Sequence, residues 1–342
     1  MKKFISLKKI ILVIIFVLLI GVSTALVFSY KNAIKKPISS NEDIVMVEVR
    51  HGEGFYEVLD RLHREKKLSN KYFIKLDLML HKNNVQLQEG IYEVKSDITL
   101  DGLLETLKIQ KDDKNLKKLT IPEGYTIDQI AEKVEQEKIC SKDEFLQEVK
   151  NYELPSYVKE DKNKRYNLEG FLYPDTYLIK NNATPEYIIK QMLNRFVEVL
   201  GEVKNETGIN VENNDIDRTI IIASMIEKEA RFDEDRPLIS SVIYNRLKED
   251  MKLQLDATII YSLGYHVDRV LNKHLEIDSP YNTYKYKGLP IGAIGNPGKA
   301  SIKAALLPSK TDYLFYILQE NGYHYFSNNY DDFLSKKKEL GY

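Results

Sequence analysis

Residues Ile10 to Tyr30 carry no charge and are almost wholly apolar. At about 20 residues, the run is long enough to cross roughly 30 Å of hydrocarbon. No second stretch of that length follows, so the chain reads as a single-pass protein. Lys2, Lys3, Lys8 and Lys9 precede the run, and Lys31, Lys35 and Lys36 follow it. The positive-inside rule sets residues 1–9 in the cytoplasm, residues 10–30 across the membrane and the rest outside. A cleaved signal peptide is the alternative, since Ser23, Thr24 and Ala25 resemble a cleavage site. The run exceeds the usual apolar region of about 7–15 residues in such signals, which favours a retained anchor. Residues 31–43 are polar, contain Pro37, Ser39 and Ser40, and are expected to form a tether.

The remaining chain belongs to a protein of 342 residues, and domains run to about 100–200 residues, so two domains beyond the anchor are expected. Net charge is −1, from 50 basic and 51 acidic residues. That balance gives no support to a nucleic-acid partner, which calls for a basic face. Cys140 is the one cysteine, so no intrachain disulfide and no cysteine-built metal site is expected.

Residues 44–109 have the pattern of a small module. Ile44, Val45, Val47 and Val49 make a strand-like run. Phe55, Val58, Leu59 and Leu62 fall at helical spacing, and Ser69 and Asn70 can cap a second helix holding Phe73, Leu76 and Leu80. Gly90 to Val94 reads as a closing strand. Strand, helix, helix, strand is the order of the LysM-type carbohydrate-binding module, and this segment resembles it in pattern. A larger domain is expected over residues 116–342, opening with a strand at Leu116–Ile121. Helices are expected at Pro185–Val203, Asp217–Ala230 and Arg236–Leu247. Near the end, Asn321-Gly322 marks a hairpin turn between Asp312–Leu318 and Tyr323–Ser327. The fold class is therefore α+β.

Little chemistry other than carboxylate chemistry is supported. The histidines are scattered, no phosphate-binding glycine loop occurs, and no GxSxG elbow is present. Within Ile220-Ile-Ile-Ala-Ser-Met-Ile-Glu-Lys-Glu-Ala230, the positions Ile220, Ala223, Ser224 and Glu227 share one side of a helix. The small side chains of Ala223 and Ser224 leave a hollow beside Glu227. A carboxyl against apolar walls has its neutral form favoured, as a general acid requires. Glu229 lies about 200° further round the helix and belongs to a different side. A plain Glu–Lys pair at a helix end is the competing reading of Glu227.

Three further stretches are dense in polar and aromatic groups. The first is Glu169 to Tyr177, with Asp175. The second is Leu253 to Thr258, with Gln254 and Asp256. The third runs from Tyr281, Asn282, Thr283 and Tyr284 into Gly288 to Gly298, with Asn296. Rings that stack on sugar faces, with amides and carboxylates that bridge hydroxyl groups, suit one elongated sugar cleft.

The ordered set EGFLYPDTY (169–177), ASMIEKEA (223–230), VIYNRL (242–247), LQLDATIIY (253–261), SPYNTY (279–284) and GLPIGAIGNPG (288–298) resembles the YceG-like family of endolytic murein transglycosylases. The resemblance covers nearly everything after the tether. It departs from the family pattern at Ala257, where proline is frequent, and at Gly295. It implies a single N-terminal membrane helix, a LysM-like module and a larger α+β catalytic domain. The implied activity is non-hydrolytic cleavage between N-acetylmuramic acid and N-acetylglucosamine within nascent strands, leaving 1,6-anhydro ends and ending elongation. It implies Glu227 as the acid and no metal or cofactor. The substrate-binding set expected with it is Glu169, Asp175, Ser224, Asn245, Gln254, Asp256, Tyr281, Asn282, Thr283, Tyr284 and Asn296. Expected partners are peptidoglycan strands, the membrane and peptidoglycan synthases. The alternatives are a hydrolase that uses Asp256 or Asp175 as a base, a non-catalytic wall-binding protein, and a membrane-tethered assembly factor.

Overall fold

The computed structural model describes residues 7–40, 42–50, 52–81, 87–108, 116–265, 267 and 269–341, with side chains from residue 15 onward, Leu116 excepted. The chain divides into two compact units, Met1–Leu116 and Lys117–Tyr342.

The first unit begins with the helix α1 (Leu7–Lys35), whose segment Ile15–Lys35 has a mean hydropathy of 1.6 and is long and apolar enough to cross a membrane. Beyond it lie β1 (Ile44–Val49), α2 (Phe55–Arg64), α3 (Lys71–His81), β2 (Gly90–Lys95) and α4 (Leu100–Lys108). β1 and β2 pair antiparallel, from Ile44 opposite Lys95 to Val49 opposite Gly90. The period of two in the strand turns Val45, Val47 and Val49 inward. They meet Phe55, Val58, Leu59 and Leu62 of α2 and Leu100, Leu103, Leu104 and Leu107 of α4 in one core. Asn70 caps α3 by accepting from the backbone N–H of Tyr72 and Phe73.

One boundary differs from the sequence expectation. Part of the stretch 31–43 packs on the module. α1 continues to Lys35, Ala33 and Ile38 join the core, and Ile38 pairs with Leu68 in an isolated bridge. Apolar groups spaced among the lysines found partners within the module, so they add to its core rather than to a linker.

The second unit holds β3 (Leu116–Thr120), α5 (Ile127–Gln136), α6 (Lys142–Asn151), β4 (Thr176–Lys180), α7 (Pro185–Thr207), α8 (Asn213–Glu229), α9 (Arg236–Lys248), α10 (Asp256–Leu263), α11 (Asn272–Leu275), α12 (Lys299–Leu306), β5 (Phe315–Leu318), β6 (His324–Ser327) and α13 (Tyr330–Glu339). β3 pairs with β4, and β5 with β6 around the Asn321-Gly322 turn. α8 is the axis of this unit. Its residues Ile216 to Ile226 are almost all buried, and it packs against α9, α10 and α12.

A long irregular segment, 288–298, runs beside α8. Without a strand ladder, its backbone groups need other partners. They find them in neighbouring segments: the N–H of Ile291, Ile294, Asn296 and Gly298 donate to Pro280 O, Ser224 Oγ, Tyr125 O and Glu227 Oε2. The Asn296 side chain ties further segments to it: its Oδ1 accepts from the N–H of Gly170 and Leu172, and its Nδ2 donates to Tyr125 O and Glu169 Oε1. Gly170 must be glycine, with φ +93°, since a Cβ there would stand 2.5 Å from Ile220 Cγ2.

Candidate active site

α8 ends at Glu229, and around that carboxyl four elements converge. Tyr316 of β5 donates from its hydroxyl to Glu229 Oε2 at 3.1 Å. Arg246 of α9 lies close enough to act on the same carboxyl electrostatically, as does Asp256 at the start of α10. Asp256 in turn accepts from the hydroxyl of Tyr284 at 2.6 Å. Glu229 keeps partial exposure as a residue. Burial of its carboxyl, the largest influence, pushes its pKa up to about 7; the Tyr316 bond and Arg246 oppose the rise and the Asp256 charge adds to it. Such a group exchanges its proton near neutral pH, as a general acid and base must.

The Arg246 guanidinium is spent on backbone. It donates to Leu314 O at 2.6 Å, Leu253 O at 2.7 Å and Lys252 O at 3.3 Å, and it lies over the Phe315 ring. These bonds tie the strand carrying Tyr316 to the segment before Gln254 and Asp256. Asn245, one residue earlier, donates to Thr311 O and Tyr313 O and fixes the approach to β5. Gln254 is exposed and sits at φ +53°, a conformation that costs a residue with a Cβ and clusters at functional sites. Its N–H donates to Thr283 O.

Glu227 has different surroundings from those the sequence suggested. Its walls are charged rather than apolar. Arg236 meets both of its oxygens at 3.3 Å, and the Gly298 N–H donates to Oε2 at 3.0 Å. The side chain is 7% exposed. Arg236 also donates to Asp233 and to Ser301. Glu123 covers this spot so closely that a Cβ on Gly298 would fall 1.9 Å from its Oε1. The hollow expected beside Ala223 and Ser224 is filled by chain: Ser224 Oγ accepts from Ile294 N–H at 3.1 Å and donates to Ile221 O. Glu227 thus clamps α8, α9 and the start of α12 together.

The residues expected to bind substrate divide into two groups. Asp256 and Tyr284 stand near Glu229, and Gln254 is two residues from Asp256. The others give their polar atoms to the protein. Glu169 accepts from Ile127 N–H, the Tyr261 hydroxyl and Asn296, and its burial pushes the pKa up to about 8 against the pull of the Tyr261 and Ile127 bonds. Asn282 donates to Leu275 O and Ile277 O and accepts from the N–H of Tyr284 and Lys285. Thr283 accepts from Leu255 N–H and exchanges a hydrogen bond with Thr258. The Tyr281 hydroxyl accepts from Arg165 N–H, and Asp175 pairs with Arg195 at 2.7 Å. These residues, with Ser224, Asn245 and Asn296, hold the loops that carry the exposed group.

The sequence reading set Glu229 on another side of the helix from Glu227 and did not single out Tyr316, Arg246, Arg236 or Glu123. Arg246 lies inside the motif VIYNRL and could have been weighed as a half-buried cation. Tyr316 sits 87 positions from Glu229, and nothing local to it reports that contact. Among the described residues, no group of three or more His, Cys, Asp or Glu could hold a metal ion.

The chain matches the YceG-like family over residues 47–339. It is 34% identical over 316 residues to the endolytic murein transglycosylase of Bacillus subtilis, covering 86% of this chain and 84% of that protein. The endolytic murein transglycosylase of Streptococcus pneumoniae is 32% identical over 324 residues, 86% of this chain and 58% of its own length. The crystal structure of a yceG-like protein from Listeria monocytogenes superposes with a TM-score of 0.58 at 32% identity, covering 87% of this chain and all of that one. The chain belongs to the YceG-like family.

Proposed function

We propose that this protein is an endolytic murein transglycosylase and that its acid is Glu229 rather than Glu227. The relatives carry that activity in their names. One observation carries the choice of acid: the Glu229 carboxyl is raised to about 7 and stands with Tyr316, Arg246, Tyr284 and Asp256. Glu227 instead spends both oxygens on a guanidinium and a backbone N–H, and giving or taking a proton there would break that pair.

In the proposed reaction Glu229 protonates the oxygen between N-acetylmuramic acid and N-acetylglucosamine. Its carboxylate then takes the proton from the muramic 6-hydroxyl as that oxygen attacks the anomeric carbon. A 1,6-anhydro ring forms, water is not consumed, and the acid is regenerated. One carboxyl suffices because the sugar supplies the nucleophile, unlike the two carboxylates of ordinary glycosidases.

Asp256 favours a second reading. A second carboxylate beside the acid could activate water, which would make the enzyme a hydrolase. Product mass distinguishes the two, since hydrolysis adds one water to each cut and lysis adds none.

α1 supports a single-pass anchor, and the flanking lysines favour a cytoplasmic N-terminus with the second unit outside. The strand–helix–helix–strand order of residues 44–95 supports a LysM-like sugar-binding role for the first unit. Incubating the full chain, and its Glu229→Gln variant, with purified sacculi and reading products by mass spectrometry tests the proposal. Anhydro-ended fragments from the parent alone are expected. Equal release by the variant would sink the assignment of Glu229.

A further inference from the structure

α3 has two apolar faces, and the core uses only one. Ile74 and Leu78 are buried within the first unit. Tyr72, Leu76, Met79 and Leu80 are exposed at 72%, 43%, 69% and 63%. At about 100° per residue those four fall within an arc of about 100°, opposite Ile74. Tyr56 of α2 is exposed as well, and the Lys75 ammonium lies 5.7 Å from its ring centre, so the patch extends onto α2. Lys71 and Lys75 edge the stripe and pair with Asp60. A stripe of this size on one short helix needs an explanation, because single exposed apolar residues are ordinary and contiguous patches are not.

The neighbour of that stripe is the apolar helix. Phe73, at the edge of the stripe, meets Tyr30 of α1 edge to face, with ring centroids 6.1 Å apart. The Tyr30 hydroxyl donates to Asp77 of α3 at 2.5 Å. Up to Ser29 the described side chains of α1 are exposed, including Leu26, Val27 and Phe28; the module covers α1 only from Tyr30 onward. α3 therefore abuts α1 where the long apolar segment meets the folded module. If that segment crosses the bilayer, α3 lies at the bilayer surface.

We propose that α3 is an interfacial helix that rests its Tyr72–Leu76–Met79–Leu80 face in the headgroup–acyl boundary of the membrane crossed by α1. The proposal rests on the anchor reading of α1. Its chemistry is that of an interfacial segment: apolar residues point into the boundary, a tyrosine sits at one end, and lysines at the edge can reach lipid phosphates. Docking of this kind holds the first unit flat on the bilayer instead of on a swinging tether.

The test uses the full chain in phosphatidylcholine–phosphatidylglycerol vesicles, in a Cys140→Ser background. A single cysteine at Met79→Cys, Glu105→Cys or Leu18→Cys carries an environment-sensitive dye. Glu105 is exposed on α4, and Leu18 lies within the apolar helix. At position 79, aqueous iodide should quench roughly threefold less than at position 105, while lipid with a doxyl group near the headgroup should quench strongly. At position 18, quenching should come from deeper doxyl groups. Tyr72→Cys should repeat the result at position 79. Iodide access at 79 equal to that at 105, with position 18 still quenched from within the bilayer, would overturn the interfacial helix and leave the anchor standing. Protection from both iodide and doxyl lipid at position 79 would mean that protein covers the stripe and would overturn it too. Loss of doxyl quenching at position 18 would remove the anchor reading, and this proposal with it.

Discussion

The Tyr316 hydroxyl donates to Glu229 Oε2 at 3.1 Å and so joins the last residue of α8 to the β5–β6 hairpin. Burial raises the Tyr316 phenol well above its ordinary pKa, so it remains a donor across the working range. A neutral donor fixes the carboxyl orientation without locking it as an ion. Arg246, spent on backbone carbonyls, adds positive potential nearby without forming a close pair with Glu229. The contrast with the bidentate Arg236–Glu227 pair is what separates the two acids.

Glu229→Gln should leave the fold intact and lower glycan release by about 100- to 10,000-fold, the usual size of a lost acid–base group. Glu227→Gln should act mainly on stability. It leaves Arg236 half-paired in a site 9% exposed, at a cost of about 3–5 kcal/mol, while the folded fraction keeps most of its turnover. Thermal melts alongside product mass spectrometry read both. A stable but inactive Glu227→Gln, with an active Glu229→Gln, would reverse the assignment.

Tyr316→Phe predicts a pH effect of definite sign. The Tyr316 bond lowers the Glu229 pKa, so its loss should raise that pKa above the present value of about 7. An acid must be protonated to act, so the parent rate should fall as pH rises through about 7. In Tyr316→Phe that falling limb should move to higher pH, with a lower plateau from the looser carboxyl. An unmoved limb would show that the pH dependence belongs to another group.

Stability should follow the same two buried acids. Glu229 and Glu169 have folded values of about 7 and about 8, against an ordinary 4.5. Raised carboxyls contribute stability that is fully present below the unfolded value and is lost as pH rises through the folded one. Between pH 4.5 and 8, chemical denaturation should show a declining stability, by up to about 1.4 kcal/mol per pH unit for each group as it titrates. Glu229→Gln should flatten that slope at its lower end. A slope unchanged by this variant would remove Glu229 from the titration.

Much of the helical framework was legible because it is periodic. α7, α8 and α9 fall within a few residues of their expected bounds, and the Asn321-Gly322 turn lies between β5 and β6. The helix geometry that set Glu227 and Glu229 on different sides was equally readable. What lay beyond the sequence was the occupant of each side. Ala223 and Ser224 are small because segment 288–298 packs there, with Ile294 N–H reaching Ser224 Oγ from 70 positions away. Small residues mark close approach, and the spacing alone did not say whether a sugar or the chain itself approaches. The same limit explains Asn282, Thr283 and Asn296. Irregular backbone at depth needs side-chain partners, so polar residues dense in a loop served its own N–H and C=O groups. Ile38 escaped notice for another reason: one apolar residue among lysines carries no period.

Asn296→Asp should be among the most damaging conservative changes in the second unit. Asn296 has no exposed surface, and its Nδ2 donates to Tyr125 O at 2.8 Å and to Glu169 Oε1 at 3.1 Å. An aspartate would set an oxygen against both acceptors. We expect a loss of about 3–5 kcal/mol, the range for a broken buried network, and lost activity through loosening of segments 122–126 and 288–298. Urea midpoints measure it. A loss under about 1 kcal/mol would mean that Asn296 is not the hub its four hydrogen bonds suggest.

Gln254 separates backbone strain from side-chain function. Its φ of +53° suits glycine, yet the position carries an exposed side chain with Asp256 two residues on. Left-handed conformation costs a residue with a Cβ about 1 kcal/mol or somewhat more. Gln254→Gly should therefore stabilise the fold by up to about 1 kcal/mol, less the entropy glycine adds to the unfolded chain. The backbone N–H at this position would still donate to Thr283 O, so the loop path should hold. Turnover should nevertheless fall if the exposed amide two residues before Asp256 handles substrate, and Gln254→Ala should then lose turnover with no gain in stability. Strain kept at an exposed polar residue, where glycine would relieve it, is reasonable only if the side chain contributes to function. Should Gln254→Gly be both more stable and fully active on sacculi, the side chain has no part in the reaction, and the proposed site is limited to Glu229 with Tyr316, Arg246, Tyr284 and Asp256.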